Sequence, residues 1–351
     1  ARLLDSTRKV APKDLRVNYL AASLAVRRGE MEQARQQVQQ VLRVAPDHLP
    51  TMVLAGAIEL QGKHYVAAEE YLRKAVARAP NHAGARQLLV QTYLRMGQPT
   101  KAKDALQPLV ERGMPADPRL QLLAGETYLA NGDAQRATEF YQAAAKTEKG
   151  QQVAARTRLG QIALASGKSD EGFRELEAAS ELDAGAYQAD LAIIAGHLRR
   201  REFDKAMAGV RSLEKKQPNN PLTFQMYGVV NLARRDVPAA RRAFEKALEL
   251  QPNYLPAAYN LAQLDIAEKR PEDARKRYEA MIAKDDKNDQ LYLALADLQA
   301  RTGAEPKAIV ETLQRAVTAN PQSVPARLAL INFHLRSKDN KAALTAAQSA
   351  V

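Results

Sequence analysis

The 351-residue sequence predicts an all-α protein, an α-α superhelix (solenoid) of tandem helical hairpins. Three observations predict this fold. Prolines recur at steps of 34 or 35 residues or multiples of them, glycine or a basic residue lies midway between the proline positions, and apolar residues follow at fixed distances. The sequence shows no sustained period-two alternation and few β-branched residues, so no sheet is expected.

Proline provides the first periodic signal, because it stops or restarts a helix. It occupies Pro12, Pro46, Pro80, Pro115, Pro218, Pro252 and Pro321, and the missing positions fall near Gly150, Ala184 and Asp286, where turns are expected. Midway lie Gly29, Gly62, Gly97, Gly132, Gly167 and Gly303, or Arg201, Arg235 and Lys269 where glycine is absent. Each unit is therefore predicted to contain a helix A, a turn and a helix B.

A third series marks helix B. A small residue is followed four positions later by a large apolar one, and both lie on the same helix face. The small residues are Ala34, Ala68, Ala102, Ala137, Gly172, Ala206, Ala240 and Ala274, and the large ones are Val38, Leu72, Leu106, Tyr141, Leu176, Val210, Phe244 and Tyr278. A single hairpin cannot bury such a face, so neighbouring hairpins are expected to stack.

These residues resemble the tetratricopeptide repeat (TPR). Two units carry its pattern: Phe224, Tyr227, Gly228, Ala240, Phe244, Ala247 and Pro252, and also Leu123, Ala124, Gly125, Tyr128, Gly132, Ala137, Tyr141 and Ala144. The resemblance covers the whole chain and implies about nine to ten TPR hairpins forming a single solenoid over residues 1–351. It implies a non-catalytic scaffold for protein–protein interactions.

A narrower resemblance concerns the phrases around residues 203–222 and 243–258, which are similar to the TPR-repeat lipoprotein of PEP-CTERM systems. That family accompanies exosortase and exopolysaccharide genes in Gram-negative bacteria. The resemblance implies a periplasmic parent protein anchored to a membrane by lipid, with a role in exopolysaccharide biosynthesis or export and PEP-CTERM protein sorting. Because the chain starts and stops inside helical patterns, we interpret it as a fragment with partial repeats at both ends.

The sequence contains no recognisable catalytic constellation. It has no Cys, which excludes disulfides, thiolate nucleophiles and iron–sulfur clusters, and its five His are dispersed without metal-ligand spacing. No glycine-rich phosphate loop and no apolar stretch of membrane-spanning length are present. We therefore expect no catalytic residue, no metal and no cofactor.

The TPR resemblance implies that helix A presents side chains to a concave groove, seven, eleven and fifteen residues after the proline position. The candidate partner-binding residues are Tyr19, Arg27, Gln87, Gln91, Arg95, Gln161, Gln225, Tyr259 and Gln263. The paired Lys and Asn of a chaperone-tail receptor are missing from these positions. Amide and guanidinium groups suit extended peptide segments.

Positive charge is concentrated in residues 196–246, which hold twelve Lys and Arg against five Asp and Glu, within a net charge of +12 for the chain. Basic residues occupy the A–B turn of three successive units: Arg199, Arg200 and Arg201, then Arg234 and Arg235, then Lys269 and Arg270. We call these seven residues the basic edge stripe. It could attract an anionic partner, or its cations could simply oppose helix dipoles.

Other readings of the sequence stay open. The module could be a cytoplasmic TPR adaptor, the TPR arm of a cellulose- or alginate-export apparatus, or the regulatory arm of an enzyme. An RNA-binding helical repeat is a remote alternative, because the excess charge lies at turns, and no nucleic acid is expected as a partner. The Ala-rich final helix lacks the polar outer face of a terminal repeat, so weak self-association through the cut ends is expected.

Overall fold

A computed structural model describes residues 14–146, 149–183, 185 and 187–349 of the chain. Within them lie twenty α-helices and no strand, which confirms the all-α prediction. Residues Pro12 and Ala184, two positions of the proline series, lie outside the described residues.

The helices form ten hairpins, each with a helix A (odd number) and a helix B (even number). Their bounds are α1 Leu15–Arg28, α2 Met31–Val44, α3 Leu49–Gln61, α4 Tyr65–Arg78, α5 Ala83–Arg95, α6 Pro99–Glu111, α7 Pro118–Ala130, α8 Ala134–Ala145, α9 Lys149–Ala165, α10 Ser169–Leu182, α11 Gln188–Arg199, α12 Phe203–Lys216, α13 Pro221–Ala233, α14 Val237–Leu250, α15 Leu255–Ala267, α16 Pro271–Lys284, α17 Asp289–Arg301, α18 Pro306–Ala319, α19 Val324–Arg336 and α20 Asn340–Gln348.

The chain divides into two compact units, residues 1–189 and 190–351. In the first unit, every helix from α1 to α10 packs on the next, and each helix A also contacts the helix A of the following hairpin. In the second unit, successive helices from α12 to α20 pack in the same way, and α15, α17 and α19 contact one another in order. Hairpins within each unit therefore stack in sequence order, with the A helices on one side. A single solenoid over residues 1–351 stays a prediction.

The A–B turns are more regular than the sequence suggested. Each of the ten turns has one residue with a left-handed backbone, and the next residue donates its N–H to a carbonyl five residues back, which satisfies the end of helix A. The left-handed residues are Gly29, Lys63, Gly97, Gly132, Gly167, Arg201, Arg235, Lys269, Gly303 and Lys338.

Two predicted turn positions are corrected. Gly62 has an ordinary right-handed φ of −73°, and the turn is made instead by Lys63 at φ +62°. Gly150 lies inside the first turn of α9 rather than between helices, because α9 starts early, at Lys149, and is 17 residues long. Asp286 lies in a turn, as predicted.

The small and large residues of helix B meet in the hairpin interior, as the spacing predicted. All eight small residues and all eight large residues of the series are buried. Helix B comes very close to helix A at two glycines: a Cβ added to Gly125 would lie 2.5 Å from the Tyr141 ring, and one added to Gly228 would lie 2.2 Å from Phe244. Aromatic rings in helix B therefore lie directly on the backbone of helix A.

We expect Arg235→Gly to stabilise the protein by about 0.5–1 kcal/mol, because a side chain at positive φ is strained and glycine is not. Arg235 has φ +64° and makes no ion pair among the described residues, so the substitution removes strain without breaking an ion pair. The urea midpoint checks this. Arg234→Gly is the control, since Arg234 is right-handed at φ −78° and should lose stability. An unchanged or lower midpoint for Arg235→Gly would contradict the strain argument.

Candidate functional site

The first unit has a cleft of about 990 Å³ on its A helices. Residues from α3, α5, α7 and α9 line it, together with Lys63, Tyr65 and Tyr141. Two predicted groove residues, Gln91 and Arg95, lie on its α5 wall. Two of the A-helix positions that the sequence singled out therefore line a cavity large enough for a ligand.

The cleft combines an apolar wall with an excess of positive charge. The apolar side chains are Leu60, Leu94, Leu122, Leu123, Leu129 and Ala130. The charged ones are Lys63, Arg95, Arg119 and Arg158, against the single carboxylate of Glu126. An Arg158 nitrogen lies 3.9 Å from Glu126 Oε1, and both side chains are about half exposed. Such a surface suits a ligand that carries alkyl groups and negative charge.

The remaining predicted groove residues of the first unit lie outside the lining of this cleft. Tyr19 is half-buried, with its ring edge-on to His48 at 5.9 Å between centroids. Arg27 is exposed, Gln87 is half-buried, and half-buried Gln161 accepts a hydrogen bond from Arg158. Their role in binding stays a prediction.

In the second unit the groove residues differ in exposure. The Tyr259 side chain is exposed at 46%, and Gln263 accepts a hydrogen bond from Arg301. Gln225 was predicted to be an exposed groove position, and this is wrong: it is only 6% exposed, because α13 turns that face into the packed interior. Its amide oxygen makes no hydrogen bond.

The basic edge stripe lies at the A–B turns of the second unit, as predicted. Arg201, Arg234 and Arg235 line a shallow depression of about 580 Å³, which brings two successive turns together. Lys269 and Arg270 occupy the following turn. Three of these turns place a basic residue at positive φ, where glycine would be free of strain.

Acidic neighbours compensate part of that charge. Arg234 lies 3.6 Å from Asp204, and Arg200 donates to Glu202 at 2.8 Å. Arg270 contacts Glu268 and lies 3.7 Å from Asp273. Among the described residues, the cations of the stripe without an ion pair are Arg199, Arg201, Arg235 and Lys269. The stripe therefore keeps some uncompensated positive charge in each of its three turns.

We expect the turn between α11 and α12 to lose stability in acid. Hydrogen bonds from Arg200 and then His197 lower the pKa of Glu202 from 4.5 to about 2. Because the pKa is lowered on folding, the carboxylate stabilises the folded state at pH values above its unfolded-state pKa. This contribution is lost as the pH falls from about 4.5 to about 2. Thermal melting across that pH range checks this, and Glu202→Gln should flatten the curve. Glu249→Gln, in an exposed pair, is the control, and equal curves for wild type and Glu202→Gln would contradict it.

Sequence reasoning missed a set of contacts between consecutive hairpins. Arg241 donates to Asp265 at 2.8 Å, and Arg35 donates to Glu59 at the same distance. In both cases helix B of one hairpin bonds to a buried carboxylate on the next helix A, 24 residues later. That fixed separation is the signal that could have revealed these pairs.

No cluster of three or more His, Cys, Asp or Glu positioned to hold a metal ion occurs in the described part of the chain. None of the described helices combines the length and the apolar character needed to cross a bilayer.

Comparison with known families settles the type of repeat. Two family models described as tetratricopeptide repeat match the chain, one at residues 59–127 and 231–298 and the other at residues 19–83. Together they cover half of the sequence. The chain belongs to the tetratricopeptide repeat family. The cleft of the first unit therefore lies on the A helices of successive TPR hairpins, α3, α5, α7 and α9.

Two relatives illustrate the similarity. The chain is 29% identical over 327 residues to "Cellulose synthase operon protein C" from Xanthomonas axonopodis pv. citri. That match covers 90% of this chain. The chain spans only about a fifth (20%) of the relative's length. A crystal structure of a tetratricopeptide repeat protein from Parabacteroides merdae aligns with a TM-score of 0.56 at 15% identity, over 69% of this chain and 95% of the other. The structural likeness shows the fold.

Proposed function

We propose that this TPR module is a non-catalytic scaffold that holds extended peptide segments of partner proteins on its A helices. The observation that carries the proposal is the cleft of the first unit, an open cavity of about 990 Å³ with aliphatic walls and unpaired guanidinium groups. Such groups bind main-chain carbonyls and carboxylates, while the leucines bury side chains. The cleft lacks a paired acid and base at its centre, since Glu126 is its single acidic residue.

The proposed setting is an apparatus that makes or exports bacterial exopolysaccharide. The 29% identity to a cellulose synthase operon protein supports this, because it extends over 90% of the chain. It favours the arm of a cellulose-export apparatus over the PEP-CTERM sorting system that the narrower resemblance implied. A periplasmic location, with the parent anchored to a membrane by lipid, remains part of the proposal, with a cytoplasmic adaptor as the alternative.

Two further surfaces belong to the proposal. The basic edge stripe is proposed to attract an anionic partner, supported by the unpaired cations Arg201, Arg235 and Lys269. The last hairpin is proposed to mediate weak self-association, because it exposes Val324, Leu328, Leu335 and Leu344 at 50% or more. Salt should weaken binding of an anionic partner to the basic edge stripe and should leave self-association through the last hairpin unchanged.

Site-specific photo-crosslinking in the native host tests the scaffold proposal. A photoreactive amino acid replaces Gln91 in the cleft or, as a control, exposed Glu70 on α4. We expect Gln91 but not Glu70 to capture a protein of the exopolysaccharide apparatus, identified by mass spectrometry. Failure to capture any protein from Gln91, or equal capture from Glu70, would contradict a groove-binding scaffold.

A further inference from the structure

The Tyr141 hydroxyl is the unexplained group of the cleft in the first unit. Tyr141 is fully buried, it lines the cleft, and its hydroxyl makes no hydrogen bond. A buried polar group without a partner destabilises the protein that contains it. The hydroxyl therefore calls for an explanation beyond folding.

Packing alone does not require that hydroxyl. The Tyr141 ring lies on Gly125, and Phe244 lies on Gly228 in the same arrangement one hundred and three residues later. Phe244 is also fully buried, so a ring without an oxygen fills this position of the hairpin. The Tyr141 oxygen is thus not needed to fill this position, and in the first unit it lies on a residue that lines the cleft.

The protonation state of the Tyr141 hydroxyl determines which kind of ligand it can hydrogen-bond. Burial raises the pKa of Tyr141 well above its usual range, Glu126 raises it further, and Arg158 lowers it. Tyr141 is therefore a neutral hydrogen-bond donor at physiological pH. Glu126 and Arg158, the charged groups that act on it, are about half exposed and 3.9 Å apart, so a stronger acceptor can take the place of Glu126.

The other charges of the cleft favour the same kind of ligand. Lys63, Arg95 and Arg119 line it, and none of them forms an ion pair within the part of the chain that the structure describes. A small anion or a polyanionic sugar would satisfy these cations but would leave the leucine walls in water. A chain that alternates carboxylates with aliphatic side chains satisfies both.

We propose that this cleft binds an extended acidic–aliphatic peptide segment, one carboxylate of which displaces Glu126 from Arg158 and accepts a hydrogen bond from the Tyr141 hydroxyl. The inference rests on the proposed groove function and names the chemistry of its ligand. Arg95 and Arg119 pair with further carboxylates, and Leu94 and Leu122 contact the aliphatic side chains.

The test measures binding of a fluorescent ten-residue peptide of alternating Glu and Leu to the full chain by anisotropy, with a Gln–Leu peptide as the uncharged comparison. Tyr141→Phe should weaken binding of the Glu–Leu peptide about tenfold, the effect of one charge-assisted hydrogen bond. The urea midpoint of Tyr141→Phe should be unchanged or higher, because no bond of the free protein is lost. Tyr278→Phe, at the equivalent position of the second unit, is the matched control and should leave affinity unchanged.

Arg95→Gln should also weaken binding of the Glu–Leu peptide, and it should reduce the dependence of that affinity on salt. Equal binding of the two peptides, or full affinity in Tyr141→Phe, would overturn the inference while leaving a groove scaffold intact if Gln91 still crosslinks. Binding of heparin in place of either peptide would also overturn it, since the ligand would then be an anionic polysaccharide. If neither peptide binds and Gln91 captures no protein, both this inference and the proposed function fail.

Discussion

Asp265→Ala should destabilise the second unit by about 3 kcal/mol, because it removes two charge-assisted hydrogen bonds at a buried position, leaving Arg241 with Glu268 alone and Arg277 without this carboxylate. The Asp265 side chain is fully buried and accepts from Arg241 at 2.8 Å through one oxygen and from Arg277 at 2.8 Å through the other. Those two arginines come from α14 and α16, on either side of the helix α15 that carries the aspartate. One carboxylate therefore joins two consecutive hairpins.

Hydrogen exchange is the suitable measurement, since a long repeat array does not unfold in one cooperative step. Amides of α14, α15 and α16 should lose protection in Asp265→Ala. The control is Glu249→Ala, which breaks an ion pair with Lys246 of the same 2.8 Å length on the surface and should cost less than about 1 kcal/mol. Equal effects of the two substitutions would show that burial does not set the strength of these pairs.

Periodic features of the fold were predictable because each hairpin repeats the same physical problem. A proline, a left-handed turn and a small–large pair must recur at the same positions for helices of equal length to stack. The prediction failed at Gly62 for a local reason: two adjacent residues were available, and the backbone places Lys63 rather than the glycine at positive φ. The regular step of 34 residues from Gly29 to Gly97 falls on Lys63, so the spacing was the better guide and the identity of the neighbouring glycine was misleading.

The candidate site was less predictable, because a cleft depends on which side chains of different hairpins approach one another. Gln91 and Arg95 follow from the position of helix A, and they do line the cavity. Tyr141 is buried in the core, as the helix B spacing predicted, but that spacing gave no indication that its hydroxyl has no hydrogen-bond partner beside the cleft. Gln225 holds the same repeat position as Gln87, seven residues after the proline, yet Gln225 is buried whereas Gln87 is half-buried. Periodicity gives the position of a residue on its helix, whereas exposure depends on the neighbouring hairpin.

Gly228→Ala should destabilise the second unit by about 1–3 kcal/mol, although alanine is the better helix former by about 1 kcal/mol. The added Cβ would lie 2.2 Å from Phe244 Cε1, closer than real Cβ contacts allow, and the ring is fully buried. Overpacking therefore outweighs propensity at this position. The measurement is the loss of hydrogen-exchange protection in α13 and α14, with Gly84→Ala as the control, where the nearest atom to an added Cβ is 3.4 Å away.

A second substitution should reverse the effect if the contact is its cause. The first hairpin already contains a working alternative, in which Ala22 on α1 and Val38 on α2 are both buried in one cluster. Adding Phe244→Val to Gly228→Ala copies that pair and relieves the clash, so the double variant should be more stable than the sum of the two single effects by about 1 kcal/mol or more. Additive effects would mean that the glycine is required for another reason, and the close approach of ring and backbone would then not explain why helix A carries a glycine opposite Phe244 and Tyr141.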